Sequence, residues 1–401
     1  MYRVSPFVRH FAFALLAGIP LATVWVTLAP GSYYDAVEWQ FFTGDRGRDW
    51  LNFVPTPMSV VSEGLMALFL FFVGKELWEA LVLERGALSG HRAVLPGVAM
   101  AAGWIGAVAV WLVVSGQIET AFEATPGVGW PVPIGSDVVL CYLVGRMVFR
   151  SGHPAVHLLL LVTIGNDIAG LLLLGLAFPT SGLRLLWLLL PAGSVFAVWL
   201  VFARHAHPDL TERDHRRAFQ LWPYVLAGLL SWIGTVQAGL PGALGLLPVI
   251  PIIPHADRAF GLFAEAEEFL HDPLNRLSHL LVKPIAVILF LFGLTRGGID
   301  IGSLSPTTVT TLAALWVGKP LGLLLGAWVA LMLGYRLPAG VKPVDLIQIA
   351  LVTGIGFTVP VLALDRALPG GGMAEAARAG LALSFLIALI PIGLARLRPL
   401  R

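Results

Sequence analysis

The sequence predicts an all-α polytopic membrane protein of about twelve transmembrane helices, and three observations predict it. Of 401 residues, 57% are hydrophobic and only 12% are charged, about half the charged share of an ordinary soluble domain. Mean hydropathy is +0.83. Apolar runs of span length recur along the whole chain, with Lys and Arg clustered in the short segments between them. A chain so poor in charge cannot cover a globule in water, but it suits lipid as its solvent.

The same composition excludes other classes. A pI near 8.8 and a net charge of +2 do not indicate nucleic acid, because the basic residues are dispersed between apolar runs rather than gathered on one face. The single cysteine, Cys141, permits neither an intrachain disulfide nor a cysteine metal site. Arg3 and Arg9 precede an apolar stretch that runs to about Ala29 without a small-residue cleavage site, so it reads as a retained first span rather than a removed signal. The longest polar stretch, Arg204 to Arg217, is too short to hold a core. The expectation is one transmembrane domain over residues 1–401.

A helix that crosses lipid needs about 20 mostly apolar residues. Candidate spans lie near 11–30, 58–83, 94–116, 130–149, 155–177, 183–203, 221–237, 240–253, 268–295, 306–333, 344–365 and 376–395, the eighth being short and rich in proline. With the N-terminus placed in the cytoplasm, eleven Lys and Arg fall in inner loops (Arg204, Arg213, Arg216 and Arg217 among them) and six in outer ones. This bias puts both termini on the cytoplasmic side.

Ionisable groups inside spans are expensive unless they line a cavity or find a partner. They are Glu63, Lys75, Glu76, Asp137, Asp167, Lys283 and Lys319. Asp137 follows Pro131, Pro133 and Gly135, a sequence that interrupts a helix and frees backbone groups to serve an ion. Asp167 stands mid-span after Gly165 and Asn166. Lys319 stands mid-span beside Pro320. A second interruption runs from Gly354 to Thr358, with Pro360 beyond it. The two breaks fall in the fourth and eleventh spans, the middle members of spans three to five and ten to twelve. Such a pair marks a transporter site between inverted repeats, here near 94–177 and 306–395.

Each residue also has a plainer reading. Asp137 suits the cap of a half-helix N-terminus, and Asp167 a structural buried acid. Lys319 suits a partner for an acid or a helix end. Glu76 suits an acid reaching water at the cytoplasmic end of its span, and Glu63 a polar contact between helices. Asn166 suits either an interhelical hydrogen bond or a cation ligand. No nucleophile–base pair or metal cluster falls within the spans, which argues against an enzyme and leaves no cofactor to expect.

Several motifs carry a likeness. Ser62-Glu63-Gly64 with Gly74-Lys75-Glu76 resembles the second span of the NhaA sodium/proton antiporters. Gly129-Trp130 with Pro133-Ile134-Gly135-Ser136-Asp137 is similar to that family's fourth span, where a threonine usually precedes the aspartate. Gly165-Asn166-Asp167 falls where the family has paired aspartates. Val317-Gly318-Lys319-Pro320-Leu321-Gly322 resembles its tenth-span lysine motif, and Gly354-Ile355-Gly356-Phe357-Thr358 its eleventh-span break. NhaA antiporters are themselves an example of the rule about paired breaks.

The resemblance implies exchange of Na⁺ or Li⁺ for H⁺ across a bacterial inner membrane, with a homodimer in the bilayer and no cofactor. It implies that Asp167 is the carboxylate that takes the cation or the proton. It places Ser136 and Asp137 at crossed half-helices, turns Lys319 toward the site, and assigns pH response to Glu76, Glu63 and the stretch from Glu267 to His271. Burial favours a protonated carboxyl and a hard cation favours an ionised one, so the two compete. Asn166, Ser136 or Thr358 oxygens would complete the shell.

Beyond Ser136, this chain departs from the family pattern in three further places. Asn166 replaces the first paired acid, which deprives Lys319 of that partner. Trp78 and Ala80 thin the charges after Glu76. Arg296 falls near a usual asparagine. An Asn–Asp pair resembles the electroneutral branch of the wider cation/proton antiporter superfamily and points to one-for-one exchange. The alternatives are a sodium-coupled organic-anion symporter of similar architecture and a non-transporting membrane sensor.

Overall fold

The structure, a computed structural model, describes residues 7–41, 54–82, 90–122, 126–150, 152–180, 182–202, 219–255, 263, 272–368 and 370–397. The described residues are helical or irregular, with no strand among them. In order the helices are α1 (Phe7–Leu28), α2 (Pro30–Val37), α3 (Pro57–Val82), α4 (Val94–Phe122), α5 (Val138–Val148), α6 (Pro154–Ala177), α7 (Leu185–Val201), α8 (Trp222–Gln237), α9 (Pro273–Arg296), α10 (Pro306–Met332), α11 (Pro343–Val352), α12 (Thr358–Ala367) and α13 (Gly371–Leu397).

Proline explains many of the starts. Pro30, Pro57, Pro154, Pro273, Pro306 and Pro343 each sit in the first helical turn, where a missing N–H costs nothing. Thr56, His153, Asp272 and Ser305 supply side-chain caps just before four of them. Proline also explains why the eighth apolar stretch is no α-helix. It folds as two 3₁₀ segments, Gly242–Leu244 and Leu247–Ile252, with Pro251 inside the second.

Among the described residues, seven helices (α1, α3, α4, α6, α9, α10 and α13) are long and apolar enough to cross a membrane, and a bent pair ending in α5 makes an eighth. The protein is a multi-pass membrane protein. The other apolar stretches are shorter helices, and α11 and α12 are the two halves of an interrupted one. Two long helices carry a π turn, α3 over Val60–Leu65 and α10 over Ala314–Gly318. Such turns gather at functional sites, and these two fall on Glu63 and immediately before Lys319.

Between helices in lipid, close backbone approach replaces the hydrophobic effect as the main attraction. The pairings α4 with α10 and α1 with α9 show it. Gly318, Gly322 and Gly326 recur every fourth residue on one face of α10. A methyl group on Gly318 would stand 2.6 Å from the carbonyl oxygen of Gly106, and one on Gly326 would stand 2.7 Å from that of Val98. A methyl group on Gly322 would collide with the carbonyl of Ala102. This contact fixes α10, and with it Lys319, against α4.

Gly322→Ala is expected to cost about 1–3 kcal/mol of stability by overpacking. At Gly97, also on α4, an added methyl group meets nothing within 4 Å. Thermal unfolding in detergent should show a lower midpoint for Gly322→Ala and an unchanged one for Gly97→Ala.

Candidate functional site

Two helix breaks cross at the centre of the molecule. The first follows the 3₁₀ segment Val132–Ile134 and precedes α5, and the chain bends by 52° there. The second separates α11 from α12. Asp137 N–H donates to the carbonyl of Ile355 (3.1 Å), Ser136 Oγ–H to that of Thr353 (3.3 Å) and Cys141 Sγ–H to that of Val352 (3.2 Å). The carbonyls released where α11 ends are thus met by donors from the other break. Ser384 of α13 accepts from Gly356 N–H (3.0 Å) and ties α13 to the crossing.

Asp137 caps two helices at once. Its Oδ1 accepts from Leu140 N–H in α5 (2.7 Å), and its Oδ2 accepts from Thr358 N–H at the start of α12 (3.0 Å). The capping reading of Asp137 is correct, and it extends to a second helix that the sequence did not reveal. Both positive helix ends face one fully buried carboxylate.

Lys319, 1% exposed, stands at the opposite pole. Its Nζ donates to the carbonyl of Gly135, at the negative end of the 3₁₀ segment, and to Ser136 Oγ (2.9 Å). Ser136 Oγ also accepts from Asn166 Nδ2 (3.1 Å). A hydroxyl offers one donor and two acceptor positions, and Ser136 uses all three.

Asp167 lies beside this knot with no solvent exposure. Its Oδ1 accepts from Ser136 N–H (2.7 Å), while Oδ2 has no hydrogen-bond partner. Asp137, Asp167, Ser136, Asn166, Lys319 and Thr358, scattered over more than 200 positions of sequence, therefore meet at one place. Lys319 donates to a backbone carbonyl and a hydroxyl where the family pattern would give it a carboxylate. The oxygen of Asn166 turns instead to Trp104, whose Nε1–H donates to it at 2.7 Å. Sequence reading missed Trp104, because an indole in an apolar span carries no signal of its partner.

The other singled-out residues lie elsewhere. At the Phe7 end of the bundle, Lys75 pairs with Glu76 (3.1 Å) and Glu79 (3.2 Å), and Glu76 Oε2 accepts from Phe263 N–H. Glu76 is buried, so the reading of an acid reaching water is corrected: Lys75 and the Phe263 backbone hold it inside. Glu79, one turn beyond Lys75, belongs to the cluster and was not anticipated. Glu63 sits at the far end of α3, bridging Arg366 (2.8 Å) and the N–H of Gly242 (2.5 Å). Beside it, Arg296 pairs with Asp365 (2.5 Å) and donates to Ser62 Oγ, and Arg378 pairs with Glu375 (2.7 Å). Lys283 is exposed on α9. Glu267 and His271 lie outside the described residues.

Interrupted helices that cross at a buried carboxylate, inside a bundle of apolar spans, define a secondary membrane transporter. The sequence matches the family Na+/H+ antiporter 1 over residues 9–395. It is 39% identical to a Na(+)/H(+) antiporter NhaA of Jannaschia sp. (strain CCS1), across 98% of this chain and 97% of that one. It is 32% identical to a Na(+)/H(+) antiporter NhaA of Geobacter sulfurreducens, across 97% and 96%. A solved structure of the sodium proton antiporter MjNhaP1 from Methanocaldococcus jannaschii is also similar, with a TM-score of 0.48 and 15% identity over 95% of this chain and 89% of that one. The chain belongs to the Na+/H+ antiporter 1 family.

Asp137→Ala deprives two helix starts of charge-assisted hydrogen bonds, each worth about 1.5–3 kcal/mol. The variant is expected to lose at least about 3 kcal/mol of stability, read as a lowered unfolding midpoint in detergent. Asp137→Asn, which keeps an acceptor for one start, should fall between it and the parent.

Proposed function

We propose that this chain exchanges Na⁺ or Li⁺ for H⁺ across a bacterial inner membrane by alternating access, with Asp167 as the carboxylate that carries either ion. The observation that carries this reading is the unpartnered Oδ2 of a fully buried Asp167. A buried acceptor left unpaired is costly, and both a proton and a hard cation relieve it.

Charge balance supports one-for-one exchange. The negative charge of Asp137 and the positive charge of Lys319 offset each other. Asp167 protonated then leaves the site neutral, and so does Asp167 ionised with one Na⁺ bound. Asn166 adds no further charge. Ser136 and Thr358 oxygens and the carbonyls at the breaks are the neutral ligands at hand. Ser136 Oγ joins the shell when Lys319 or Asn166 releases it.

The inverted repeats run over 94–177 and 306–395, each contributing one broken helix to the crossing. The excess of Lys and Arg in alternate loops puts both termini in the cytoplasm. The Lys75–Glu76–Glu79 cluster, held against the backbone of Phe263, is the pH-responsive element. The assembly is a homodimer, as the resemblance implies.

An organic-anion symporter would need a polar cavity at the crossing. A cavity of about 360 Å³ between α3, α8 and α9 is lined instead by apolar side chains such as Leu68, Phe71, Leu229 and Val249. It includes none of the six residues of the crossing. A non-transporting sensor has no need of a carboxylate kept open at the centre of the bundle.

In proteoliposomes with a preset pH gradient, added Na⁺ or Li⁺ is expected to collapse the gradient at a rate indifferent to an imposed membrane potential. Asp167→Asn should abolish that response. Exchange at the parent rate in Asp167→Asn removes Asp167 from its role, and a rate that follows the potential rejects one-for-one stoichiometry.

A further inference from the structure

Asn166 is the neutral residue at the crossing, and a carboxamide has two unlike ends. One end accepts hydrogen bonds and the other donates them, so its orientation decides what the neighbouring groups meet. In the structure the Nδ2 end faces Ser136 Oγ (3.1 Å) and the oxygen faces the Trp104 indole N–H (2.7 Å). An indole N–H can only donate. Trp104 therefore rejects the reverse orientation, which would set two donors against each other. Trp104 lies on α4, the helix held to α10 by the glycine face, and Lys319 begins the stretch of α10 beyond its π turn. The same helix contact thus positions both the indole and the ammonium.

The consequences reach the ion site. With the amide donating, both acceptor positions of Ser136 Oγ are filled, by Asn166 and Lys319. Ser136 N–H at the same time holds Asp167 Oδ1 (2.7 Å). A reversed amide would present its oxygen to Ser136, release one acceptor position of Ser136 Oγ, and add a neutral oxygen to the crossing. More acceptor oxygen next to an ionised carboxylate favours a hard cation.

We propose that Trp104 is a positioning residue for the exchange, its indole N–H fixing which end of the Asn166 carboxamide faces Ser136. This rests on the reading that Asp167 carries the ion. Trp104 touches no transported ion and acts through Asn166. It thereby keeps the site from binding Na⁺ as tightly as its oxygens allow.

The test is the apparent KM for Na⁺ in proteoliposomes, at fixed pH, for Trp104→Phe in two backgrounds. Trp104→Phe keeps a ring and removes the donor. In the parent background KM is expected to fall about three- to ten-fold, the size of one net hydrogen bond. In an Asn166→Asp background the two carboxylate oxygens are alike, no orientation remains to be fixed, and Trp104→Phe should leave KM within about two-fold. An unchanged or raised KM in the parent background, or the same fall in both backgrounds, overturns the proposal, since ring packing alone acts in both. If Trp104→Phe does not purify as a monodisperse protein, Trp104→Leu, which also lacks a donor, is read by the same outcomes. Asp167→Asn measured alongside separates the two ideas. Exchange retained there sinks the Asp167 reading, whereas exchange lost there with KM unmoved by Trp104→Phe sinks this inference alone.

Discussion

Two helix N-termini pointing at one another inside a bilayer set the terms for the rest of this molecule. Each carries about half a positive charge and several unpaired N–H groups, and lipid offers them no partner. One carboxylate, Asp137, accepts from the starts of α5 and α12 together. Its single negative charge about matches the two half charges it faces. The carbonyl ends of the same breaks need the opposite treatment. Ser136, Asp137 and Cys141 supply donors to the end of α11, and Lys319 supplies an ammonium to Gly135. Each break is satisfied largely by the other, so neither is stable alone.

Holding this arrangement requires helices that approach more closely than side chains of ordinary size permit. The glycine face of α10 lets its backbone lie against that of α4 near Gly106, and Lys319 follows directly on Gly318 in that face. The π turn over Ala314–Gly318 alters the register just before the lysine. In a regular helix the face that packs on α4 and the face that meets the crossing would keep a fixed angle, and the extra residue of the turn changes that angle. On α3 the π turn stands at Glu63, where the backbone carbonyl accepts from Trp232 and the side chain bridges Arg366 and Gly242.

The sequence made the spans, the breaks and the buried acids legible, because each violates or obeys the cost of polarity in lipid. A proline–glycine run before Asp137 and a Gly-x-Gly run before Thr358 stand out against apolar surroundings, and so do Asp167 and Lys319. Pairing across the fold was less legible. That Asp137 serves α12 as well as α5 depends on residues 221 positions apart meeting, which neither segment encodes by itself. Trp104 and Ser384 are ordinary in apolar helices until the tertiary arrangement gives them Asn166 and Gly356. Glu76 misled for a related reason. Its distance from the end of its span suggested access to water, but Lys75 and the backbone of Phe263 hold it inside.

The replacement of an acid by Asn166 matters most through Lys319. An acid there would oppose the ammonium directly, and the pair would add a second group able to give up a proton during transport. With an amide in that place, the contacts of Lys319 are a carbonyl and a hydroxyl, both neutral acceptors. A neutral amine can donate to them as well, so these hydrogen bonds do not by themselves keep the lysine charged. The carboxylates at the same crossing are Asp137 and Asp167. Asp137 is committed to two helix starts. In the exchange proposed above, Asp167 alternates between proton and cation, and its net contribution is the same in both loaded states. In that exchange Lys319 faces the same net charge at Asp167 in both loaded states, which is the condition for a proton count set by Asp167 alone.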